Sequence, residues 1–272
     1  MSNLPFVSIF TPNYNKSSFL AETIESVLNQ TYPNFEYIIV DDCSTDNSWE
    51  IIQYYAAKDK RIKAFRNELN CAIVETRNRG LNHSSDDAKY FAIIDSDDVA
   101  TPDRLQSQVK FLEENPDYGL VGSDTTIIDE DSQKIGYRTY PHTDAEIRKN
   151  IVRFNPFAQS SITIRTVVIR EIGPYDERWN VCQDYDYWLR VGKEWKLKNL
   201  EEPLIKYRLS RGQVKNTHLK ETIQNTYRIQ KKAIKEYGYK DNFKSKIYRF
   251  LLRISSLFPK IALIFYKNFM VT

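Results

Sequence analysis

The 272-residue sequence contains no apolar run of the roughly 18–20 residues that a membrane-spanning helix requires. Its N-terminus, "MSNLPFVSIFTP", lacks the basic region and the long apolar core of a secretory signal peptide. The three cysteines, Cys43, Cys71 and Cys182, are odd in number and far apart, and no CxxC zinc pattern is present. These absences favour a reduced, cytoplasmic chain without a disulfide framework.

Excess charge of one sign is also missing. The formal net charge is only +3, which argues against a nucleic-acid-binding protein. Apolar residues make up 41% of the chain and charged residues 28%, a composition typical of globular rather than disordered proteins. The length predicts one large domain, or one domain with an appendage.

Short apolar segments alternate with segments of helical periodicity through the first 123 residues. The predicted strands lie at residues 6–10, 35–42, 61–66, 89–95 and 118–123, and the predicted helices at 17–30, 46–58 and 72–82, with a fourth helix capped by Thr101. This alternation predicts an α/β fold with a mainly parallel sheet flanked by helices. The later predicted elements are a hairpin around residues 129–133, strands at 160–165 and 202–208, and helices at 182–193 and from 219 onward.

Polar residues follow three of the predicted strands at the point where each strand ends. The first strand is followed by residues 11–15 (TPNYN), the second ends at Asp41 and Asp42, and the fourth ends at residues 95–98 (DSDD). The carboxyl ends of parallel strands meet at one edge of a sheet, and ligands bind outside that edge. The sequence therefore predicts a binding site there.

The acidic turn at residues 95–98 contains an Asp-x-Asp pattern whose carboxylates suit Mg²⁺ or Mn²⁺. A purely structural alternative is that Asp97 and Asp98 supply turn and cap chemistry. Asp41 and Asp42 weigh against that alternative, because carboxylates brought together repel unless a cation or hydrogen-bond donors offset them. Since the chain lacks both GxGxxG and GxxxxGK[ST], a metal ion is the predicted means of neutralising a bound diphosphate.

Six segments of the chain carry a resemblance to a known family. They are "VSIFTPNYN", "YIIVDDCSTDNS", "ETRNRGL", "IIDSDD", "GPYDERWNVCQDYDYWLR" and "KYR". In this order, over roughly residues 5–210, they resemble the inverting family 2 glycosyltransferases of the GT-A fold. The basic, helical pattern near the C-terminus predicts an amphipathic helical tail (residues 216–272). The resemblance implies a Rossmann-like nucleotide-binding half (residues 1–123) and an acceptor half (124–215). It also implies a nucleotide-sugar donor, usually with UDP, and a hydroxyl acceptor.

Individual roles follow from the same resemblance. The residues implied to contact the donor are Thr11, Pro12, Tyr14, Asp41, Arg77, Asp95, Ser96, Arg208 and Arg211. Asp97 is implied to ligate Mn²⁺ or Mg²⁺ on the diphosphate, and His218 is a further candidate metal ligand. Arg208, Arg211 and His218, with Lys215, are alternatively candidates for direct contact with the diphosphate. Tyr14, just after the first strand, is a candidate for stacking on the base, although a single aromatic residue more often serves packing.

The helix that begins in "VCQDYDYWLR" supplies the candidate general base. In the family a Glu-Asp pair opens this helix and the Asp takes the acceptor proton; here the pair is Gln183-Asp184, so Asp184 is the implied base and Asp186 the structural acid. The alternative is that Asp184 only stabilises the helix N-terminus.

Two further residues depart from the family pattern. Cys43 stands in place of a glycine, which reduces backbone freedom, and Ser210 stands in place of a histidine.

The tail after Arg228 combines lysines and arginines with apolar residues at helical spacing, and its only acids are Glu236 and Asp241. This pattern suits an anionic membrane surface, which a lipid-linked saccharide acceptor would explain. The alternatives are packing on the catalytic domain or on a second copy of the chain.

Two other functions compete with sugar transfer. "DSDDV" matches the Asp-x-Asp loop of haloacid-dehalogenase-type phosphatases, but in those enzymes the loop normally follows the first strand, whereas here it follows the fourth. A nucleotide-sugar-binding module without activity is the second alternative. Turnover of nucleotide sugars, release of phosphate from simple esters, and donor binding without turnover would separate the three functions.

Overall fold

The computed structural model describes residues 4–210 and 218–257. Its strands are β1 (Val7–Asn13), β2 (Phe35–Asp41), β3 (Ile62–Arg66), β4 (Tyr90–Ile93), β5 (Val99–Ala100), β6 (Tyr118–Ile128), β7 (Lys134–Arg138), β8 (Thr163–Arg165) and β9 (Lys196–Arg208). Its α-helices are α1 (Ser17–Leu28), α2 (Ser48–Lys58), α3 (Ala72–Asn82), α4 (Arg104–Glu114), α5 (Asp144–Asn150), α6 (Thr166–Ile172), α7 (Gln183–Glu194), α8 (Leu219–Glu236) and α9 (Phe243–Leu257). A 3₁₀ turn spans Gln159–Ser161.

The strands form a single sheet in the order β3-β2-β1-β4-β8-β6-β9-β5, with β7 paired to β6. Strands β1 to β4 are mutually parallel, and β6 is parallel to β9. Strand β8 runs antiparallel between β4 and β6, and β7 forms the predicted hairpin with β6. The predicted α/β architecture with a mainly parallel sheet is confirmed.

Both faces of the sheet are buried, because successive side chains of a strand point to opposite faces. In β2, Ile38 and Val40 join one apolar cluster while Tyr37 and Ile39 join the other. Helices α1 and α4 cover the second cluster, and α3 and α7 contribute to the first. Strands buried on both faces read as continuous apolar runs, which is why "YIIV" shows no polar alternation.

Helix α8 packs as part of the core, although it lies within the predicted tail. Ile229 and Ala233 of α8, and Tyr239 shortly after its end, belong to the first apolar cluster. The Gln230 side chain donates to the Arg153 carbonyl oxygen at 2.8 Å. Helix α9 packs against α8. Within residues 4–210 and 218–257, no helix is both long and apolar enough to cross a membrane.

One predicted cap differs from the structure. Thr101 was expected to cap a helix with Pro102 at its first position, but α4 begins at Arg104. The Thr101 amide instead donates to the Leu204 carbonyl oxygen at 3.0 Å, which extends the pairing of β5 with β9. Strand pairing thus uses the residue that the local pattern assigned to the helix.

Candidate active site

The ends of β1 and β2 meet as the sequence predicts, since Asn13 and Asp41 are paired in the parallel register. The Asn13 side-chain amide donates to Asp41 Oδ1 at 2.7 Å, and the Ser44 amide donates to Asp41 Oδ2 at 3.0 Å. Asp41 is fully buried, with Arg66 Nε 3.4 Å from its carboxylate. The carboxylate is therefore fixed at the carboxyl edge of the sheet.

The turn after β2 connects this edge to α3. Asp42 Oδ1 accepts from the Asn67 side chain at 2.7 Å and from the Cys71 amide at 2.8 Å, just before α3 begins. Cys43 has a φ of 60°, in the left-handed region that glycine adopts without strain. The predicted cost of replacing the family's glycine therefore has a structural basis.

The acidic turn after β4 is held by residues from distant parts of the chain. The Asp95 amide donates to Ser160 Oγ at 3.1 Å, and Ser160 Oγ donates to Asp98. Thr23 Oγ1 donates to the Asp98 carbonyl oxygen at 2.8 Å. The Arg208 amide donates to the Asp98 carboxylate at 2.8 Å. The 3₁₀ turn, α1 and β9 thus all fix the conformation of this turn.

Asp98 is the structural acid of the turn. Burial raises the pKa of its carboxyl well above the usual value, and the nearby charges of Asp97 and Asp95 raise it further. Because Asp98 is buried, its carboxylate faces protein donors rather than a ligand. Asp95 and Asp97 are therefore the carboxylates of the turn that can bind a ligand.

Arg208 also serves the acidic turn. Its buried guanidinium donates to the Asp97 carbonyl oxygen at 2.8 Å, to the Asp129 carbonyl oxygen at 2.9 Å and to Ser132 Oγ at 2.9 Å, and it pairs with Glu22. These contacts clamp the acidic turn to the β6–β7 hairpin. These contacts give Arg208 a structural role, and its contact with the diphosphate stays a prediction.

Arg77 and Asp95 form the centre of the candidate donor site. Arg77 Nη2 lies 2.9 Å from Asp95 Oδ1, and the Arg77 side chain is 6% exposed while that of Asp95 is 29% exposed. Within the described residues, Arg77 Nε and Nη1 are buried and have no hydrogen-bond partner. Buried donors without partners are costly, so a ligand with acceptor oxygens would satisfy them.

Asp97 is the candidate metal ligand, and its carboxylate lies 2.7 Å from Lys16 Nζ. Among residues 4–210 and 218–257, no group of three or more His, Cys, Asp or Glu side chains forms a potential metal site. His218 instead lies beside Glu221, with Nδ1 and Oε2 3.4 Å apart, so the structure does not support it as a second ligand. Mg²⁺ and similar ions commonly bind through one or two carboxylates plus substrate phosphates and water. Asp97 and Asp95 fit such an ion.

Asp184, the predicted base, lies in the first turn of α7 and is half-buried. The Asn155 side chain donates to Asp184 Oδ2 at 2.8 Å. The segment that contains Asn155 also reaches the donor site, because Gln159 Nε2 donates to the hydroxyl of the buried Tyr175 at 3.3 Å and Ser160 Oγ accepts from the Asp95 amide at 3.1 Å. Burial is the main cause that raises the pKa of Tyr175 to about 12, so this hydroxyl stays neutral.

Asp186 faces the opposite side of α7 and is fully buried. Its carboxylate lies 3.2 Å from Arg190 Nε and 3.0 Å from Lys232 Nζ, and it accepts from the Tyr237 hydroxyl at 3.2 Å. It therefore joins α7 to α8, in agreement with the structural role that the sequence suggested.

The other predicted donor residues lie at or near the same edge. Thr11 is buried with Oγ1 2.9 Å from the Tyr37 hydroxyl, and Pro12 pairs with Val40. Tyr14 is 46% exposed and leaves its ring available for stacking. Ser96 is buried within the acidic turn. Arg211 and Lys215 lie outside the described residues.

Sequence reasoning missed the residues that hold these groups in place. Asn78, on α3, accepts from the Tyr175 amide at 2.8 Å and donates to the Tyr175 carbonyl oxygen at 3.1 Å. Lys16 likewise touches a predicted site residue, and so do Ser160 and Asn155, which lie in the segment of residues 155–161, where the sequence placed specificity without assigning individual roles. Each is a single polar residue without a spacing pattern, so no local signal could have identified it.

Comparison with known proteins agrees with this geometry. The sequence model described as "Glycosyl transferase family 2" matches residues 8–170. A glycosyltransferase of Methanocaldococcus jannaschii, MJ1057, is 35% identical over 209 residues, which are 75% of this chain and 71% of that protein. TuaG of Bacillus subtilis, whose name refers to teichuronic acid biosynthesis, is 38% identical over 131 residues, or 46% of this chain and 51% of TuaG.

Two solved structures share the fold. S. aureus TarS (residues 1–349) in complex with UDP-GlcNAc has a TM-score of 0.66 at 19% identity, covering 82% of this chain and 66% of that one. The mannosyltransferase PcManGT of Pyrobaculum calidifontis, in complex with GDP-Man and Mn²⁺, has a TM-score of 0.70 at 15% identity, covering 98% of this chain and 76% of that one. The predicted GT-A fold is thereby confirmed.

Proposed function

The chain belongs to glycosyl transferase family 2, and we propose that it transfers a sugar from a nucleotide-sugar donor to a hydroxyl acceptor with inversion. The observation that carries the proposal is the segment of residues 155–160, which contacts the candidate base at one end and the acidic turn at the other. Asn155 donates to Asp184 Oδ2 at 2.8 Å, and Ser160 Oγ accepts from the amide of Asp95 at 3.1 Å. Donor and base therefore share one site.

In this proposal the donor nucleotide lies along the carboxyl ends of β1, β2 and β4. Arg77 contributes buried donors to the nucleotide and Asp95 accepts from the ribose. Tyr14 stacks on the base from the exposed rim. UDP is the proposed nucleotide. GDP is the alternative, because TarS is a UDP-GlcNAc complex and PcManGT a GDP-Man complex.

Asp97 would hold a divalent cation, Mn²⁺ or Mg²⁺, with Asp95 beside it. When bound, such an ion stabilises the negative charge that develops on a departing diphosphate. The protein contributes a turn that is already rigid, since Ser160 and the Arg208 backbone fix Asp98 behind it. A preorganised carboxylate needs little rearrangement when the ligand arrives.

Asp184 is the proposed general base. The Asn155 amide holds Oδ2 and so leaves Oδ1 to accept a proton from the acceptor hydroxyl. An acceptor attacking the face opposite the leaving nucleotide inverts the anomeric carbon, and one carboxylate suffices for this displacement. Gln183 is buried beside the base and is uncharged, so it offers the acceptor an amide in place of the family's carboxylate.

The base assignment is tested with Asp184→Asn, which keeps the size of the side chain. The variant is expected to bind UDP and Mn²⁺ normally and to lose transfer by roughly 10²–10⁴-fold. Asp131→Asn, in the exposed hairpin turn, is the matched control and should transfer normally. Near-normal transfer by Asp184→Asn would remove Asp184 from the mechanism. Donor binding without turnover in the unsubstituted protein would instead favour the inactive binding module.

The metal assignment is tested with Asp97→Asn. This variant should fold normally and lose the Mn²⁺-dependent part of UDP binding, measured by calorimetry with and without the ion. Full metal-dependent UDP affinity in the variant would show that Asp97 is not the ligand.

For the acceptor we propose a saccharide, free or lipid-linked, in bacterial-type surface polysaccharide assembly. The name of TuaG, which refers to teichuronic acid biosynthesis, supports this class of acceptor. A lipid-linked acceptor is also compatible with the exposed apolar and basic surface of α9. Phe243, Ile247 and Phe250 lie at helical spacing on α9 and are 77%, 45% and 63% exposed. Exposed basic residues (Lys244, Lys246 and Arg253) flank them, and the helix contains no acid.

We propose that this face of α9 rests peripherally on the anionic inner surface of the cell membrane. Basic residues there contribute on the order of 1 kcal/mol each, and the contribution weakens with salt. Replacing Phe243, Ile247 and Phe250 by serine should abolish co-sedimentation with anionic vesicles at low salt. The matched control replaces Leu69 and Ile135, exposed elsewhere, and should still bind. A full chain that ignores the vesicles but forms dimers would identify α9 as a contact between copies.

A further inference from the structure

Lys16 stands between β1 and α1 with its backbone fixed on both sides. Its amide donates to Ser48 Oγ at 3.1 Å, at the start of α2. Its carbonyl oxygen accepts from the amides of Phe19 and Leu20, each at 2.9 Å. The Cα position is therefore set by two helices, and only the flexible four-carbon side chain can change its direction.

That side chain reaches the acidic turn, where Lys16 Nζ lies 2.7 Å from Asp97 Oδ2. The Asp97 side chain is only 13% exposed and that of Lys16 26%, so the pair is shielded from water. The other two carboxylates of the turn have different partners. Asp95 pairs with Arg77, and Asp98 accepts from Ser160 and the Arg208 amide.

A divalent cation and the Lys16 ammonium compete for one carboxylate. Mg²⁺ binds carboxylate oxygens at about 2.0–2.1 Å, so an ion on Asp97 would lie within a few ångströms of Nζ. Like charges at that separation repel strongly in a half-buried site. Lys16 must therefore swing away when the ion binds, and it needs a new anionic partner.

The nucleotide diphosphate is that partner, because it brings its negative charge to the ion on Asp97. We propose that Lys16 is a placeholder cation: it neutralises Asp97 in the nucleotide-free protein, opposes binding of the metal alone, and transfers to the diphosphate when metal and nucleotide bind together. This inference rests on the proposed function, since it takes Asp97 to be the metal ligand. It makes metal affinity depend on the nucleotide, and by linkage nucleotide affinity depends on the metal.

The test measures the affinity of the full chain for Mn²⁺ by electron paramagnetic resonance of the free ion. Titrations are run without nucleotide, with UDP, and with GDP in parallel. Lys16→Met removes the charge and keeps the length of the side chain, whereas Lys16→Arg keeps the charge. Lys63→Met is the matched control, because Lys63 pairs with the buried Glu36 away from the acidic turn.

In the absence of nucleotide, Lys16→Met is expected to bind Mn²⁺ at least about fivefold more tightly than the unsubstituted chain does. Adding the nucleotide should then increase the Mn²⁺ affinity of the variant by a correspondingly smaller factor. Lys16→Arg and Lys63→Met should keep weak binding of Mn²⁺ alone. Unchanged or weaker binding of Mn²⁺ alone by Lys16→Met overturns the placeholder role.

The same titrations separate this inference from the proposed function. If the unsubstituted chain shows Mn²⁺-dependent nucleotide binding that Asp97→Asn abolishes, but Lys16→Met changes nothing, only the placeholder role fails. If the unsubstituted chain shows no Mn²⁺-dependent binding of UDP or GDP, the metal role of Asp97 fails, and the placeholder role fails with it.

Discussion

Replacing Arg208 by methionine separates a structural arginine from a donor-binding one. The side chain keeps its approximate length but loses every hydrogen-bond donor. Three carbonyl oxygens, those of Asp97, Asp129 and Glu130, lose the guanidinium in part-buried surroundings. Glu22 loses its ion-pair partner, but its side chain is 42% exposed and can rehydrate.

The magnitude follows from these contacts. A carbonyl oxygen left without its donor away from water costs about 1–3 kcal/mol, and loss of an ion pair whose remaining acid is exposed adds about 0–1 kcal/mol. Release of the desolvation cost of the buried cation and hydration of Glu22 offset part of this. We therefore expect Arg208→Met to lower the free energy of unfolding by about 3 kcal/mol.

Urea denaturation followed by circular dichroism measures the change, and calorimetric titration with UDP and Mn²⁺ measures donor binding in the folded variant. Lys193→Met is the control, because Lys193 and its partner Glu194 are both exposed. The control should denature like the unsubstituted chain. The reasoning is refuted if Arg208→Met changes the unfolding free energy by less than about 1 kcal/mol while UDP affinity collapses.

Three further substitutions test the description of the site. Because the pKa of Asp98 is raised in the folded state, that state binds more protons than the unfolded chain, so the unfolding free energy falls as pH rises through the raised pKa. Asp98→Asn should remove this fall, which urea denaturation would measure as at most about 1.4 kcal/mol per pH unit. An unchanged pH profile in the variant would contradict this prediction. Cys43→Gly should stabilise the fold by up to about 1 kcal/mol because φ is 60°, and a measured loss of stability would show that Cys43 is not strained. Asp186→Ala should lower the free energy of unfolding by about 3–5 kcal/mol, because Arg190 and Lys232 lose the acid they share. A melting temperature close to that of the unsubstituted chain would refute the coupling of α7 to α8.

The local pattern of the sequence determined the architecture and the edge that carries the site. Apolar runs such as "YIIV" alternate with helical periods, and that alternation leaves a parallel sheet as the way to bury both faces. Parallel strands bring their carboxyl ends together, so Asp41 and the turn at residues 95–98 had to share an edge. These inferences need only neighbouring residues and their period.

Tertiary structure decided which polar residues hold that edge in place. Ser160 reaches Asp98 because β8 pairs antiparallel with β4 and carries the 3₁₀ turn to the acidic turn. Arg208 clamps the acidic turn because β9 lies beside β6, whose hairpin contacts its guanidinium. Lys16, likewise, meets Asp97 across 81 positions of sequence. A single polar residue has no period, so its partner is fixed only when the strand order brings distant segments into contact.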